Sequence, residues 1–293
     1  MNMENLNDKQ KGIFLALIGV LFITPDSLFI RLVEVNSWNL VFYRGLVPFC
    51  CLLIFLLLIY KKNFISKCLA IGYAGVFNAV LSASANITFI TSLENTNVAN
   101  TLIMLSLAPF MAAILGSIFL KEYPSRRTWI TILLCFFFVV FIFYDSYQTD
   151  NILGDFFGLL TAVLLGGSAV VIRYAKKINF LPSLLLAKLF TMLFVVYFID
   201  SLSLSDSDLF LIIIMGVFFV FLPLSLITLA PRYIPAHEVE LFFVLETILG
   251  PIWVWLFIHE QPTVKTIIGG SCIIFIIFIY TIFELKNKKN ITT

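Results

Sequence analysis

Five ionisable residues interrupt otherwise apolar stretches of this chain: Asp26, Arg44, Lys188, Glu240 and Glu246. An ionised side chain at the centre of a bilayer costs about 2.5–3.5 kcal/mol on insertion scales, so such residues are rare there without a role. At about 1.5 Å of rise per residue, Asp26 falls about 6 Å and Arg44 about 7.5 Å outward of their helix midpoints. The shared depth predicts an ion pair. The planar five-donor fork of Arg44, with Tyr43 beside it in sequence, would also present charge to the outward half of a cavity. By the same rise, Lys188 lies about 3 Å inward, Glu246 near the midplane and Glu240 about 9 Å inward. Lys188 is expected within reach of either glutamate. Desolvation opposes the ionised form of a midplane carboxyl and a nearby ammonium favours it, a balance that can change with access of water. Glu246 is therefore the leading coupling candidate and Glu240 the second. The competing readings are structural: an Asp26–Arg44 lock, a Lys188–Glu246 brace, and Glu240 as a solvated residue at a helix start.

Uncharged polar residues add to this set. Asn78, Ser82 and Asn86 recur every four residues on one helical face, and Asn97, Asn100, Thr101 and Met104 crowd two turns further on. They can line a wet cavity. They can equally join close-packed helices, at about 0.6 kcal/mol per hydrogen bond. Pro25, Pro109, Pro223 and Pro251 are expected to interrupt apolar spans and free backbone carbonyls, and Gly166-Gly167-Ser168 occupies the place corresponding to Thr24-Pro25-Asp26. All six Pro and Gly positions are gating candidates, and tolerated kinks are the plainer alternative.

The elements that must carry these residues are membrane helices. Of 293 residues, 61% are hydrophobic and 12% charged, against about 45–50% and about 25% in soluble domains. No fold of this length buries such an excess, which must face lipid. A net charge of +2 leaves no basic footprint for nucleic acid. Cys50, Cys51, Cys68, Cys135 and Cys272 lack disulfide or zinc spacing and read as packing residues. About twenty apolar residues cross a bilayer as helix. Ten stretches qualify, near 12–32, 38–60, 68–92, 97–119, 128–144, 154–174, 180–199, 208–231, 236–257 and 263–284. A barrel is disfavoured because Leu52 to Tyr60 is apolar on every side. Lys9 and Lys11 precede the first stretch without a small-x-small cleavage site, so a retained span is expected.

Charge sets the orientation. With the N-terminus inside, the basic clusters around Lys9, Lys61, Lys121, Arg173, Arg232 and Lys286 are all cytoplasmic, and only Arg31 and Lys265 lie opposite among loop cations. Both termini are expected in the cytoplasm, in a cell (inner) membrane.

The halves look duplicated. Gly12…Arg31 overlies Gly154…Arg173, Lys121-Glu122-Tyr123-Pro124 pairs with His259-Glu260-Gln261-Pro262, and Arg44 pairs with Lys188. Residues 1–148 and 149–293 form the two repeats. Five spans each is an odd number, so the second copy enters from the other side. The expected fold is an all-α polytopic membrane protein with ten transmembrane helices as two inverted five-helix repeats, a design suited to alternating access.

The Gly-start helices, Tyr43-Arg44, Ala108-Pro109…Lys121-Glu122 and Leu245-Glu246…His259-Glu260 resemble the EamA type of the drug/metabolite transporter superfamily. The resemblance covers nearly the whole chain. It implies a central cavity lined by the first four spans of each half, with the fifth and tenth peripheral. Lys188 departs from the arginine of the first half, and Pro109 has no partner at Thr247, the nearby proline being Pro251.

Three function classes compete. Inverted repeat plus buried charge favours a secondary transporter for a small metabolite such as an amino acid or related organic solute, with a passive facilitator as its variant. An intramembrane enzyme lacks support, since His237 and His259 fall at opposite faces with no His-Glu-x-x-His. A structural subunit would not need five buried charges. Expected partners are a small-molecule substrate, the lipid bilayer and protons, with a homodimer compatible; no cofactor and no metal is expected.

Overall fold

The computed structural model describes residues 7–96, 98–144, 152–199, 202–259 and 264–286; within these, the side chains of residues 27, 93, 94, 98–100, 102, 143, 251, 266 and 286 are excluded. The described residues are helical, without strands. In order they form α1 (Asp8–Ile23), α2 (Asp26–Leu32), α3 (Ser37–Tyr60), α4 (Phe64–Leu69), α5 (Gly72–Asn95), α6 (Val98–Leu105), α7 (Ala108–Phe119) and α8 (Arg126–Phe143). Then follow α9 (Ile152–Tyr174), α10 (Leu181–Val195), α11 (Asp206–Ile214), α12 (Leu222–Leu229), α13 (Ala236–Ile258) and α14 (Val264–Lys286), with a π-helical stretch Met215–Phe221 joining α11 to α12. Among the described residues, eight helical runs are long and apolar enough to cross a membrane, and Ile103–Phe119 is a shorter apolar one.

Local signals explain the ends. Asn7 and Gln10 cap α1 reciprocally, Asn36 accepts from the Trp38 N–H, and Ser125 and Ser205 accept from Thr128 and Asp208. At the other ends of α7 and α13, Lys121 (φ 56°) and His259 (φ 62°) both turn left-handed. These are the residues that the repeat pairs. The same local exit from the helix recurs in both halves.

The packing repeats too. α5 lies along α9 as α12 lies along α1; α10 packs on α5 as Met215–Phe221 packs on α3; α6 and α7 pack on α9 as α13 packs on α1 and α2. Equivalent helices meet in the pairs α3–α10, α7–α13 and α8–α14. Glycines permit the closest approaches: a Cβ on Gly12 would lie 2.6 Å from Ile234 Cγ2, and one on Gly154 2.5 Å from Thr96 Cβ.

Loop contacts sort the segments into two ends. At one, Lys9 pairs with Glu284, Gly12 abuts Tyr233, Arg173 pairs with Glu122, Arg232 Nε donates to the Lys176 carbonyl, and Asn179 Nδ2 donates to Tyr60 Oη. At the other, Tyr43 Oη donates to the Leu202 carbonyl, the Glu34 N–H to Asp208, and Thr96 Oγ1 to Asp155. Outward faces carry large apolar side chains such as Leu58, Phe137 and Phe278. Such a surface is solvated by lipid, not water.

Candidate functional site

The first span breaks where the sequence places Thr24-Pro25-Asp26. Pro25 has no N–H to continue the α1 ladder, so α1 stops at Ile23 and α2 restarts at Asp26, with the Pro25 carbonyl accepting from Leu28. Thr24 fixes the break: its Oγ1 donates to the Leu21 carbonyl and accepts from Trp253 Nε1 of α13 at 2.9 Å. Asp26, 4% exposed, is thereby aimed at α3, where Arg44 Nη1 lies 2.7 Å from both carboxylate oxygens. The same Nη1 approaches Met215 Sδ at 3.7 Å, at the first residue of the π-helical stretch. π-helical segments of this kind are frequent at functional sites.

Lys188 of α10 is 3% exposed and makes no hydrogen bond or ion pair among the described residues. It lines a small recess with Val41, Arg44, Gly45, Asn86, Phe89, Ile90 and Thr191. The charges acting on it are those of Arg44 and Asp26. Half-buried Glu246 of α13 is acted on by the same two residues. The expected contact between Lys188 and a glutamate is therefore not what the helices bring together. Arg44 and Asp26 are the charges common to both, with α10 packed on α3 and α13 on α2. Glu240, 5% exposed, has its Oε2 without a hydrogen-bond partner among the described residues, as does Glu238.

The polar stripe on α5 is placed as interhelical glue for most of its length. Asn78 Nδ2 donates to Ser183 Oγ at 3.0 Å and its Oδ1 accepts from Ser168 Oγ at 2.7 Å; Ser183 passes on to the Gly75 carbonyl, and Ser82 meets Ser168 at 3.1 Å. α5, α9 and α10 are tied by this network. Asn86 reaches the recess, with Nδ2 held by the Ser82 carbonyl. Tyr43 turns to the Leu202 carbonyl at 2.7 Å, away from the recess, because its ring packs in the cluster with Ile212 and Met215. Met104 packs against Gly158 of α9. The side chain of Asn100, like residue 97, lies outside the described residues.

Two backbone expectations are corrected. α13 runs through Pro251 without interruption, and α9 runs through Gly166-Gly167 unbroken. A glycine pair does not remove an N–H, so it need not stop a helix in a packed environment; Gly166 instead lets α9 touch the backbone of α7, where a Cβ would lie 2.8 Å from the Ala112 N. The break in this half of the interface is opposite, between α6 and α7, at Ser106-Leu107 just before Pro109. Pro223 opens α12 directly after the π-helical stretch. Sequence reading missed Met215–Phe221, the Thr24–Trp253 bond, Thr191 and the Arg173–Glu122 pair. Only the last carried a signal, the repeat match that named both residues.

At the Lys- and Arg-rich end, Arg173 Nη2 meets Glu122 Oε1 at 2.8 Å and its Nε donates to both carboxylate oxygens, while Nη1 reaches the Pro231 and Arg232 carbonyls at 3.4 Å. This ties α7, α9 and the link before α13.

Apolar helices enclosing an ion pair and an unpaired lysine define a multi-pass membrane protein that carries polar chemistry inside the bilayer. The chain belongs to the EamA-like transporter family, whose pattern matches residues 10–144 and 152–282. That membership places it among membrane transporters of the drug/metabolite transporter superfamily. A solved chain titled "Crystal structure of protein" has a TM-score of 0.80 at 13% identity, over 95% of this chain and 99% of that one. At that identity the likeness speaks for the fold. No curated protein matches this chain.

Proposed function

We propose that this protein is a secondary transporter that moves a small metabolite, an amino acid or related organic solute, across the cytoplasmic membrane by alternating access. The observation that carries this reading is the recess at which Arg44 of one half and Lys188 of the other face a common space inside an apolar bundle. Ten crossings are part of the proposal, with Ile103–Phe119 and Arg126–Phe143 crossing alongside the eight longer runs. The sorting of loop contacts into two ends supports it, since successive links alternate between those ends. Inverted halves are supported by the exchange of packing partners and by the paired left-handed residues Lys121 and His259. Both termini are assigned to the cytoplasm because the end that gathers Lys9 and Glu284 also holds most loop cations.

In this scheme the halves rock about the Asp26–Arg44 pair, and Glu246 changes protonation as water reaches it. Counterflow in proteoliposomes with a metabolite panel, with and without a proton gradient, tests the reading. Exchange of at least one solute, abolished by Arg44→Ala, is the expected result. If Glu246→Gln leaves transport and its pH dependence intact, coupling does not run through that carboxyl and the protein is a facilitator.

A further inference from the structure

Among the described residues, the two cations that line the recess differ in one respect. Arg44 is neutralised by Asp26 at 2.7 Å, whereas Lys188 has no counter-ion in contact. The other lining residues are Val41, Gly45, Asn86, Phe89, Ile90 and Thr191, so among the described residues no carboxylate lines the space. The two polar ones, Asn86 and Thr191, are uncharged, and neither forms a hydrogen bond with Lys188 among the described residues. Asn86 Nδ2 is held by the Ser82 carbonyl, and the Thr191 hydroxyl donates to the Ala187 carbonyl at 3.0 Å. A buried, unpaired ammonium is expensive in a low-dielectric interior and tends to be kept only where something periodically satisfies it.

We infer that the substrate is a small organic monoanion, its carboxylate seated on Lys188 and its apolar body against Val41, Phe89 and Ile90. This rests on the transporter reading and narrows its substrate to the related organic solutes that are monoanions, setting the amino acids aside. A zwitterion would bring an ammonium beside Lys188, with no carboxylate among the described lining residues to receive it. A neutral amide would leave Lys188 uncompensated. The monoanion satisfies the free charge and adds none. The Asp26–Arg44 pair then acts as a fixed neutral wall, its Asp26 side closed to the substrate, and Lys188 alone discriminates by charge.

The test is counterflow in proteoliposomes with solutes matched in skeleton: 4-methylpentanoate, its amide, leucine and 3-methylbutylamine, with a shorter aliphatic set and an aromatic set alongside. The acids are expected to exchange at least tenfold faster than their matched amides, amino acids or amines. Lys188→Met should abolish exchange of the acids, and Lys188→Arg should retain part of it. Lys188→Met should also melt no lower than the native protein without solute, because it removes a buried unpaired charge at similar volume; a rise of about 2–4 °C corresponds to a small gain in stability. That measurement separates lost function from lost fold. Exchange of amino acids or amines as fast as acids, or acid exchange indifferent to Lys188→Met, overturns the inference and leaves the transporter reading standing. No exchange by any set overturns the transporter reading, and this inference with it.

Discussion

Arg44 and Asp26 form a largely buried ion pair, with Arg44 Nη1 2.7 Å from the carboxylate. Removing one partner is worse than removing both, because the survivor is left charged in an apolar surround. Arg44→Ala should therefore lower stability by about 3–5 kcal/mol, read as a lowered melting temperature in detergent. The double change Asp26→Leu with Arg44→Met should recover most of that loss while transport stays absent. Recovery of transport together with stability would reduce the pair to a brace. Asn78 is a different case. Its partners Ser183 and Ser168 keep other hydrogen bonds, to the Gly75 carbonyl and Ser82. At about 0.6 kcal/mol for an interhelical bond in a membrane, Asn78→Ala should cost little over 1 kcal/mol and should slow transport only mildly. An effect of Asn78→Ala on substrate selectivity, measured with the same matched solutes, would mean that α5 opens there in another state.

At the scale of elements, adjacent glycines on α9 give a sharp contrast. A Cβ at Gly166 would meet the Ala112 N at 2.8 Å and the Ala108 carbonyl at 3.1 Å, both backbone atoms, whereas one at Gly167 would come no nearer than 3.7 Å to Leu81 Cδ1. Backbone cannot swing aside as a side chain can. Gly166→Ala should cost about 1–3 kcal/mol through overpacking, and Gly167→Ala should be neutral or up to about 1 kcal/mol stabilising through helix propensity. Thermal unfolding of the two variants decides, and equal losses would mean that α7 and α9 do not approach as described. The contrast also marks what the sequence could and could not tell. Spans were legible because a bilayer imposes a length and an apolar run on each helix, and the described helices fall within a few residues of the expected bounds. The Asp26–Arg44 pair was legible from depth alone, since both residues sit a similar number of turns from their helix ends. Depth says nothing of azimuth, however, so Lys188 and Glu246 shared a level without sharing a contact. The periodicity of Asn78, Ser82 and Asn86 identified a face but not whether water or α9 and α10 would meet it. Met215–Phe221 left no trace, because a π-turn in a uniformly apolar run changes no residue type.

For the whole molecule, the alternating access proposed above would require that one end be held shut by contacts that can be released. The Lys- and Arg-rich end has such a contact in Arg173–Glu122, which joins α9 to the exit of α7 and draws in the Pro231 and Arg232 carbonyls. The Glu122 side chain is 32% exposed, so solvent screens the pair and its worth is at most about 1 kcal/mol. That magnitude suits a latch better than a lock: it shifts a two-state population about fivefold without trapping either state. The prediction follows for a variant without native cysteines that carries Thr191→Cys at the recess. Adding Glu122→Gln should raise labelling by a membrane-impermeant thiol reagent from the Lys- and Arg-rich end a few-fold, and lower labelling from the opposite end in proportion. Opposed changes are required because the two openings draw on a single population. A rise from both ends would signify general loosening of the bundle, and no change from either would remove Arg173–Glu122 from the gating contacts and leave closure of that end to the packing of α7 against α13.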